Sequence, residues 1–157
     1  TIGASYFSKS IYKNDKRYNL NIWDTAGQEK YRCLVPLYYN NADAAIIVYD
    51  VTNPKSFERA KENVQELREK TKVAVILFIG NKSDLLDERR VKYRAAKEYA
   101  DEENLIFYET SAKLGLNITE MLHKMIDKLP EPQQSTGIKL PSVPSEESSW
   151  SSCCNIN

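Results

Sequence analysis

The sequence predicts an α/β domain built on a mostly parallel sheet, and three observations carry that reading. Two short, continuous apolar runs, residues 44–49 and 73–79, have the composition of strands buried on both faces of a parallel sheet. Each run is followed by a stretch whose apolar residues recur at helical spacing. Ahead of them, residues 5–13 and 18–24 read as two strands joined by the turn residues Asn14, Asp15 and Lys16, a hairpin.

The elements follow in order. After the strand at 44–49, Asn53 is placed to cap a helix with Pro54 at its first position, and Phe57, Ala60, Val64 and Leu67 fall on one face. The strand at 73–79 is succeeded by a helix near 91–103 and a short strand at 105–108. The last helix is expected to be capped by Asn117 with Glu120 three residues on. Its apolar stripe is Ile118, Met121, Leu122, Met125, Ile126 and Leu129, suited to packing on the sheet, and Pro130 and Pro132 end it. Residues 130–152, rich in Pro and Ser, cannot bury enough apolar surface to offset ordering entropy and read as a flexible linker. The expected organisation is one domain over residues 1–129 and a tail over 130–157.

Bulk properties narrow the function. A chain of 157 residues, 41% hydrophobic and 28% charged, fits one globular domain of ordinary size. Basic and acidic residues balance at 22 each, which gives no general affinity for nucleic acid or anionic membranes. No apolar run in these residues approaches a membrane span, and the opening TIGASYFSKS lacks the pattern of a secretory signal. Cys33 and the adjacent Cys153 and Cys154 make no disulfide framework, which predicts a reducing cytosol. The single His123 is read as a surface residue of the last helix.

Ligands of open α/β sheets bind at loops beyond the carboxyl ends of the strands. Three segments stand at such ends: DTAGQ at 24–28, GNKSD at 80–84 and ETSAK at 109–113. In NKSD, the Asp84 carboxylate can accept from the N1–H and the exocyclic amine of guanine, a donor pair that adenine lacks. Asn81 can bond the N7 edge, and the aliphatic stem of Lys82 can cover the ring. Taken singly, NKSD also suits a polar turn after a strand, and ETSAK a helix start.

With all three segments in this order, the chain resembles the small GTPases. The resemblance implies the small-GTPase (P-loop NTPase) fold, a mostly parallel sheet with helices on both faces and one antiparallel hairpin strand. It implies that the Ala112 N–H meets the guanine O6 while Ser111 and Lys113 brace the loop. It further implies that Asp24 holds magnesium through a water, that the Gly27 N–H senses the γ-phosphate, and that Gln28 orients the attacking water. In that chemistry the protein mainly positions groups and supplies electrostatics. A partner's arginine adds on the order of 10³ to 10⁵ in rate, so Gln28 alone is a slow catalyst suited to a timer.

Further features resemble the Rab branch, the GTPases of vesicle traffic, and most closely its early-endosomal group. These are TIGASY at the start, YYNNA at 38–42, IVYDVTN at 47–53, SFERAKENVQEL, LIFYETSAK and the paired-cysteine ending. The resemblance places the Thr1 hydroxyl on magnesium and makes Tyr6, Trp23 and Tyr38 an exposed aromatic triad read by effectors. Plain packing between sheet and switch helix is the other reading of these aromatics. The departures are Asn40 and Asn41 in place of Arg-Gly, Asn63 where Trp is common, and Tyr6 in place of Phe. The ending CCNIN suits two prenyl groups on Cys153 and Cys154. One lipid anchors only marginally, and Lys139 is the sole basic residue of the linker, too little for a polybasic second signal. The last four residues also have the outline of a single-prenyl box with an atypical final Asn, and an unmodified tail is the remaining reading.

The phosphate cradle of such proteins needs a glycine-rich loop ending Gly-Lys-Ser/Thr. The five glycines, 3, 27, 80, 115 and 137, are followed by Ala, Gln, Asn, Leu and Ile, so these residues hold no such loop. The expectation is that the chain is the larger, carboxyl-terminal part of a complete small GTPase, without its first strand and P-loop. In that case the function is a GTP-binding, GTP-hydrolysing switch with magnesium and GTP or GDP bound. It would regulate vesicle trafficking and membrane fusion from the cytosolic face of endosomal or other vesicle membranes. Its partners would be an exchange factor, a GTPase-activating protein, a GDP-dissociation inhibitor or escort protein, effectors and the membrane, with no nucleic acid. The alternative is a nucleotide-free, lipid-anchored interaction module that keeps the effector face and tail.

Overall fold

A computed structural model describes residues 4–25 and 42–129. The chain opens with two ten-residue strands, β1 (Ala4–Lys13) and β2 (Lys16–Thr25), paired antiparallel from Ala4 opposite Thr25 to Lys13 opposite Lys16. Only Asn14 and Asp15 remain for the turn, at φ 49° and 59°. A two-residue hairpin loop needs both central residues at positive φ, which Asn and Asp tolerate. The three-residue turn expected from sequence is therefore one residue too long, and Lys16 belongs to the ladder.

The second sheet is parallel, with order β3 (Ala44–Asp50), β4 (Val75–Asn81), β5 (Ile106–Glu109). Helix α1 (Pro54–Lys70) joins β3 to β4, α2 (Tyr93–Glu102) joins β4 to β5, and α3 (Ile118–Lys128) follows β5. Asn53 caps α1 as expected, its Oδ1 accepting from the N–H groups of Lys55 (3.1 Å) and Ser56 (3.4 Å), with Pro54 just inside. The four residues expected on its inner face, Phe57, Ala60, Val64 and Leu67, are all buried.

Side-chain alternation along β4 divides the core in two. Phe78 joins Tyr49, Phe57, Ala60, Val64, Ala96 and Ala100 under α1 and α2. Val75, Leu77 and Ile79 join Leu122, Met125 and Ile126 of α3 on the other face. Helices thus cover both faces of the central strand. Each fully buried Leu, Ile or Phe contributes about 1.5–3 kcal/mol. The hairpin adds Ile11 to the α3 cluster, with Tyr18 and Leu20 packed against it.

Other sequence expectations need correction. Strand 44–49 was expected to be buried on both faces, yet Ile46 and Val48 are 36% and 56% exposed. They lie opposite the face that Tyr49 and Ile47 turn to α1, outside the residues that α3 covers. The β4 strand runs two residues later than expected and ends on Asn81, and β5 runs to Glu109. Helix α2 begins at Tyr93 because Val91 is spent as a buried anchor, its N–H donating to the Val51 carbonyl at 2.9 Å. The capping box at Asn117 and Glu120 does not form. Asn117 sits at φ 60° and turns its amide across to the Glu109 carbonyl at 2.7 Å. Pro130, Pro132 and the tail lie outside the described residues.

Candidate functional site

The parallel register sets Tyr49, Gly80 and Glu109 side by side, and Asp50 beside Asn81. The loops leaving β3, β4 and β5 therefore emerge together, and the NKSD and ETSAK segments are stitched to each other. The Thr110 N–H donates to the Gly80 carbonyl at 2.8 Å, and the Ser83 N–H to the Thr110 carbonyl at 3.0 Å. The Ala112 N–H donates to Asn81 Oδ1 at 3.1 Å.

Asn81 closes β4 with its Oδ1 engaged by the protein. With the oxygen taken as acceptor, the amide nitrogen is the end that can donate, the polarity an N7 acceptor needs. The same bond occupies the Ala112 N–H that sequence reasoning assigned to the guanine O6, so an incoming carbonyl must share or displace it. Asp84 is kept below the usual carboxylate range, first by the Ser111 hydroxyl, which outweighs a smaller desolvation, then by its own backbone N–H and, less strongly, by the charges of Lys113 and Lys82. It is an ionised acceptor at neutral pH. Ser111 is fully buried, and its hydroxyl oxygen accepts from the Leu114 N–H at 3.1 Å, which braces the loop beside Asp84.

Lys82 adopts φ 66°, a left-handed conformation that turns the chain sharply after Asn81. Its ammonium lies 2.6 Å from Asp50 Oδ2. Asp50 in turn accepts from the Thr52 N–H (2.8 Å) and hydroxyl (2.7 Å). Partial burial alone would raise the Asp50 pKa, but the bonds from Lys82 and Thr52 outweigh it and the group lies below its ordinary value. The Asp50 bond likewise raises Lys82 above the usual ammonium range. Beneath the loops Arg89 grips Glu109 through two bonds of 2.7 Å, both side chains largely shielded.

Asn81, Lys82, Asp84, Ser111, Ala112 and Lys113 thus converge at one end of the parallel sheet. Asp24 stands on β2 opposite Ser5, in the hairpin sheet. Among the described residues no three His, Cys, Asp or Glu side chains gather as a metal cluster. Thr1, Gly27, Gln28, Tyr38, Cys153 and Cys154 lie outside the described residues. Of the aromatic triad, Tyr6 and Trp23 face each other across the hairpin, ring centroids 4.9 Å apart. About half of each is exposed, and the Tyr6 hydroxyl is anchored on Asn21 Oδ1 at 2.9 Å.

Sequence reasoning missed Asp50, Thr52, Arg89 and the side chain of Glu109. Asp50 had a signal, since an acid ending the strand next to NKSD is a natural partner for its lysine. Arg89 had none, because its partner lies on another strand.

The Ras family model matches residues 1–131. The chain is 46% identical to the Ras-related protein RABF2a and 48% identical to RABF2b, both of Arabidopsis thaliana, over 98% of this chain and 79% of each relative. It is 45% identical to the Ras-related protein Rab5A of Oryza sativa subsp. japonica, over 99% of this chain and 79% of that protein. Together with a parallel sheet whose NKSD and ETSAK loops meet at one end, these matches place the chain in the Ras family of small GTPases, on its Rab branch.

Proposed function

We propose that the chain carries the base-reading and partner-reading parts of a GTP-binding, GTP-hydrolysing switch in endocytic vesicle traffic. The observation that carries this reading is the pairing of an ionised Asp84, stabilised by Ser111, with an Asn81 whose oxygen is engaged by the Ala112 N–H, which leaves its amide nitrogen as the donor end. Asp84 accepts from the guanine N1–H and exocyclic amine, Asn81 donates to N7, and the stem of Lys82 walls one side of the ring. Asp24 is the described residue suited to a magnesium shell, with Thr1 as its expected companion. Magnesium, when bound, neutralises phosphate charge. Gln28 orients water, and hydrolysis ends the ordering by bound GTP of the Thr1 and Gln28 regions that recruits effectors. Tyr6, Trp23 and Tyr38 form the effector surface, and exchange factor, GTPase-activating protein and GDP-dissociation inhibitor are the regulatory partners.

Membrane attachment in this reading is peripheral. No helix among the described residues is long and apolar enough to cross a membrane. Prenyl groups on Cys153 and Cys154 supply the anchor to endosomal or other vesicle membranes, where the switch regulates fusion. Intact-mass measurement of the endogenous protein tests this; a tail without added prenyl mass would remove the anchor.

The deciding experiment is nucleotide selectivity of the full-length protein. Micromolar or tighter GDP and GTP binding is expected, with ADP and ATP at least about a hundredfold weaker, since Asp84 would face adenine without two charge-assisted donors. Equal affinity for adenine and guanine nucleotides, or none for either, would sink the switch reading. The interaction module would then stand on the exposed Tyr6–Trp23 pair.

A further inference from the structure

We propose that Arg89 is a positioning residue for base recognition, which never touches the base but fixes the distance between the two loops that read it. The inference rests on the guanine-reading function proposed above and names a control point within that site.

Arg89 lies between β4 and α2, and its own segment is secured independently of Glu109. The N–H groups of Arg90 and Val91 both donate to the Val51 carbonyl just past β3, at 3.0 and 2.9 Å. From that fixed base the guanidinium sends Nη1 to Glu109 Oε1 and Nη2 to Oε2, each 2.7 Å, and Nη1 also reaches the Val91 carbonyl at 3.3 Å. A planar fork on a carboxylate fixes orientation as well as distance, which an ammonium does not.

Glu109 is the last residue of β5 and begins ETSAK, so what holds it holds the loop. Its carbonyl takes the Asn117 amide at 2.7 Å, and the next residue, Thr110, bonds both Gly80 and Ser83 of the NKSD arm. One residue further, Ser111 braces Asp84, and then Ala112 meets Asn81. The chain of contacts therefore runs from Arg89 through Glu109 to every described residue assigned to the base edge. Glu109 is 13% exposed, and the buried Tyr49 hydroxyl beside its strand has no hydrogen-bond partner among the described residues. Without Arg89 that carboxylate is shielded and unpaired, and the end of β5 moves to hydrate it.

The alternative is that the pair merely stabilises the fold, and base discrimination separates the two. Inosine diphosphate lacks the exocyclic amine, so the ratio of GDP to IDP affinity reports one hydrogen bond to Asp84. Both affinities are measured by displacement of a fluorescent GDP from the full-length protein. The parent protein is expected to prefer GDP by about tenfold or more. Arg89→Met should lower that preference to about threefold or less, and Arg89→Lys should restore part of it. An unchanged ratio in Arg89→Met overturns the proposal, even if its melting temperature or both affinities fall. If Arg89→Met does not fold, the same ratio in Arg89→Lys decides, and again an unchanged value overturns it. A parent protein that binds no guanine nucleotide fails one step earlier, against the switch itself.

Discussion

The two ends of the described structure are built on opposite principles. At the carboxyl ends of β3, β4 and β5 most polar groups expected to face a ligand already have a protein partner. Asn81 holds Ala112, Ser111 holds Asp84, and Asp50 holds Lys82. On the hairpin, Tyr6 and Trp23 rest on each other and stand about half exposed on a two-stranded ribbon. The first arrangement suits a ligand of invariant shape, for which ordering in advance lowers the cost of binding. The second suits protein partners, for which large aromatic side chains on an exposed face supply adaptable contact area.

The largest effect expected follows from Asp84. Asp84→Asn replaces two charge-assisted acceptors, each worth about 1.5–3 kcal/mol, so GDP affinity should fall by on the order of 10²-fold or more. Xanthosine diphosphate, with a carbonyl where guanine has its amine, should gain, because the new amide can donate to it. Displacement titration measures both, and unchanged GDP binding would move base reading away from NKSD. The hairpin should be indifferent to this change.

A second effect belongs to the strand beneath the loops. A Cβ built on Gly80 meets Tyr49 Oη at 2.7 Å, Tyr49 Cζ at 3.0 Å and Val51 Cγ1 at 3.1 Å. Gly80→Ala should therefore destabilise by about 1–3 kcal/mol. Tyr49→Phe alone should be neutral or stabilising by up to about 1 kcal/mol, since the lost hydroxyl has no partner among the described residues. Adding Tyr49→Phe to Gly80→Ala removes the closest clash and should recover part of the loss. Urea unfolding of the four proteins tests this. Strict additivity would show that Tyr49 is not what excludes a side chain at Gly80.

These cases show how much the sequence alone discloses. The helix start at Asn53 and Pro54 was legible because capping is decided within four residues. The NKSD and ETSAK segments were legible because their chemistry is local. What escaped depends on register. That Asp50 clamps Lys82, that Arg89 grips Glu109, and that Gly80 is crowded by Tyr49 all follow from Tyr49, Gly80 and Glu109 standing level across three strands. Asn117 misled for a related reason. Read locally it is a helix cap, but Glu109 offers its amide a better partner across the sheet. The exposed Ile46 and Val48 were unreadable because an apolar run does not say which of its faces a helix will cover.

A pH effect separates the clamp from its surroundings. The Asp50 pKa is lowered on folding, so its contribution is present above its ordinary value near 3.8 and is lost as pH falls through the lower folded value. Asp50→Asn removes a group that resists protonation only when folded. Its thermal stability should fall less than the parent's between about pH 5 and pH 3. Parallel curves would mean that the Lys82 bond contributes nothing measurable, as many exposed ion pairs do.

A last effect belongs to the hairpin, and it decides how its aromatics are read. Ile11 and Trp23 lie on opposite faces of the ribbon. Ile11 is 8% exposed within the α3 cluster, and Trp23 is 49% exposed against Tyr6. Ile11→Ala removes buried methyl groups and should cost about 2–4 kcal/mol. Trp23→Ala removes a half-exposed ring, its contact with Tyr6 included, and should cost about 1 kcal/mol. If urea unfolding gives this order, the Tyr6–Trp23 face owes little to folding and its exposed apolar area is available to partners. The reverse order would mean that Trp23 packs as core, so that plain packing explains the pair and the effector surface must be sought elsewhere. Folding energetics thus tests a binding surface before any partner is in hand.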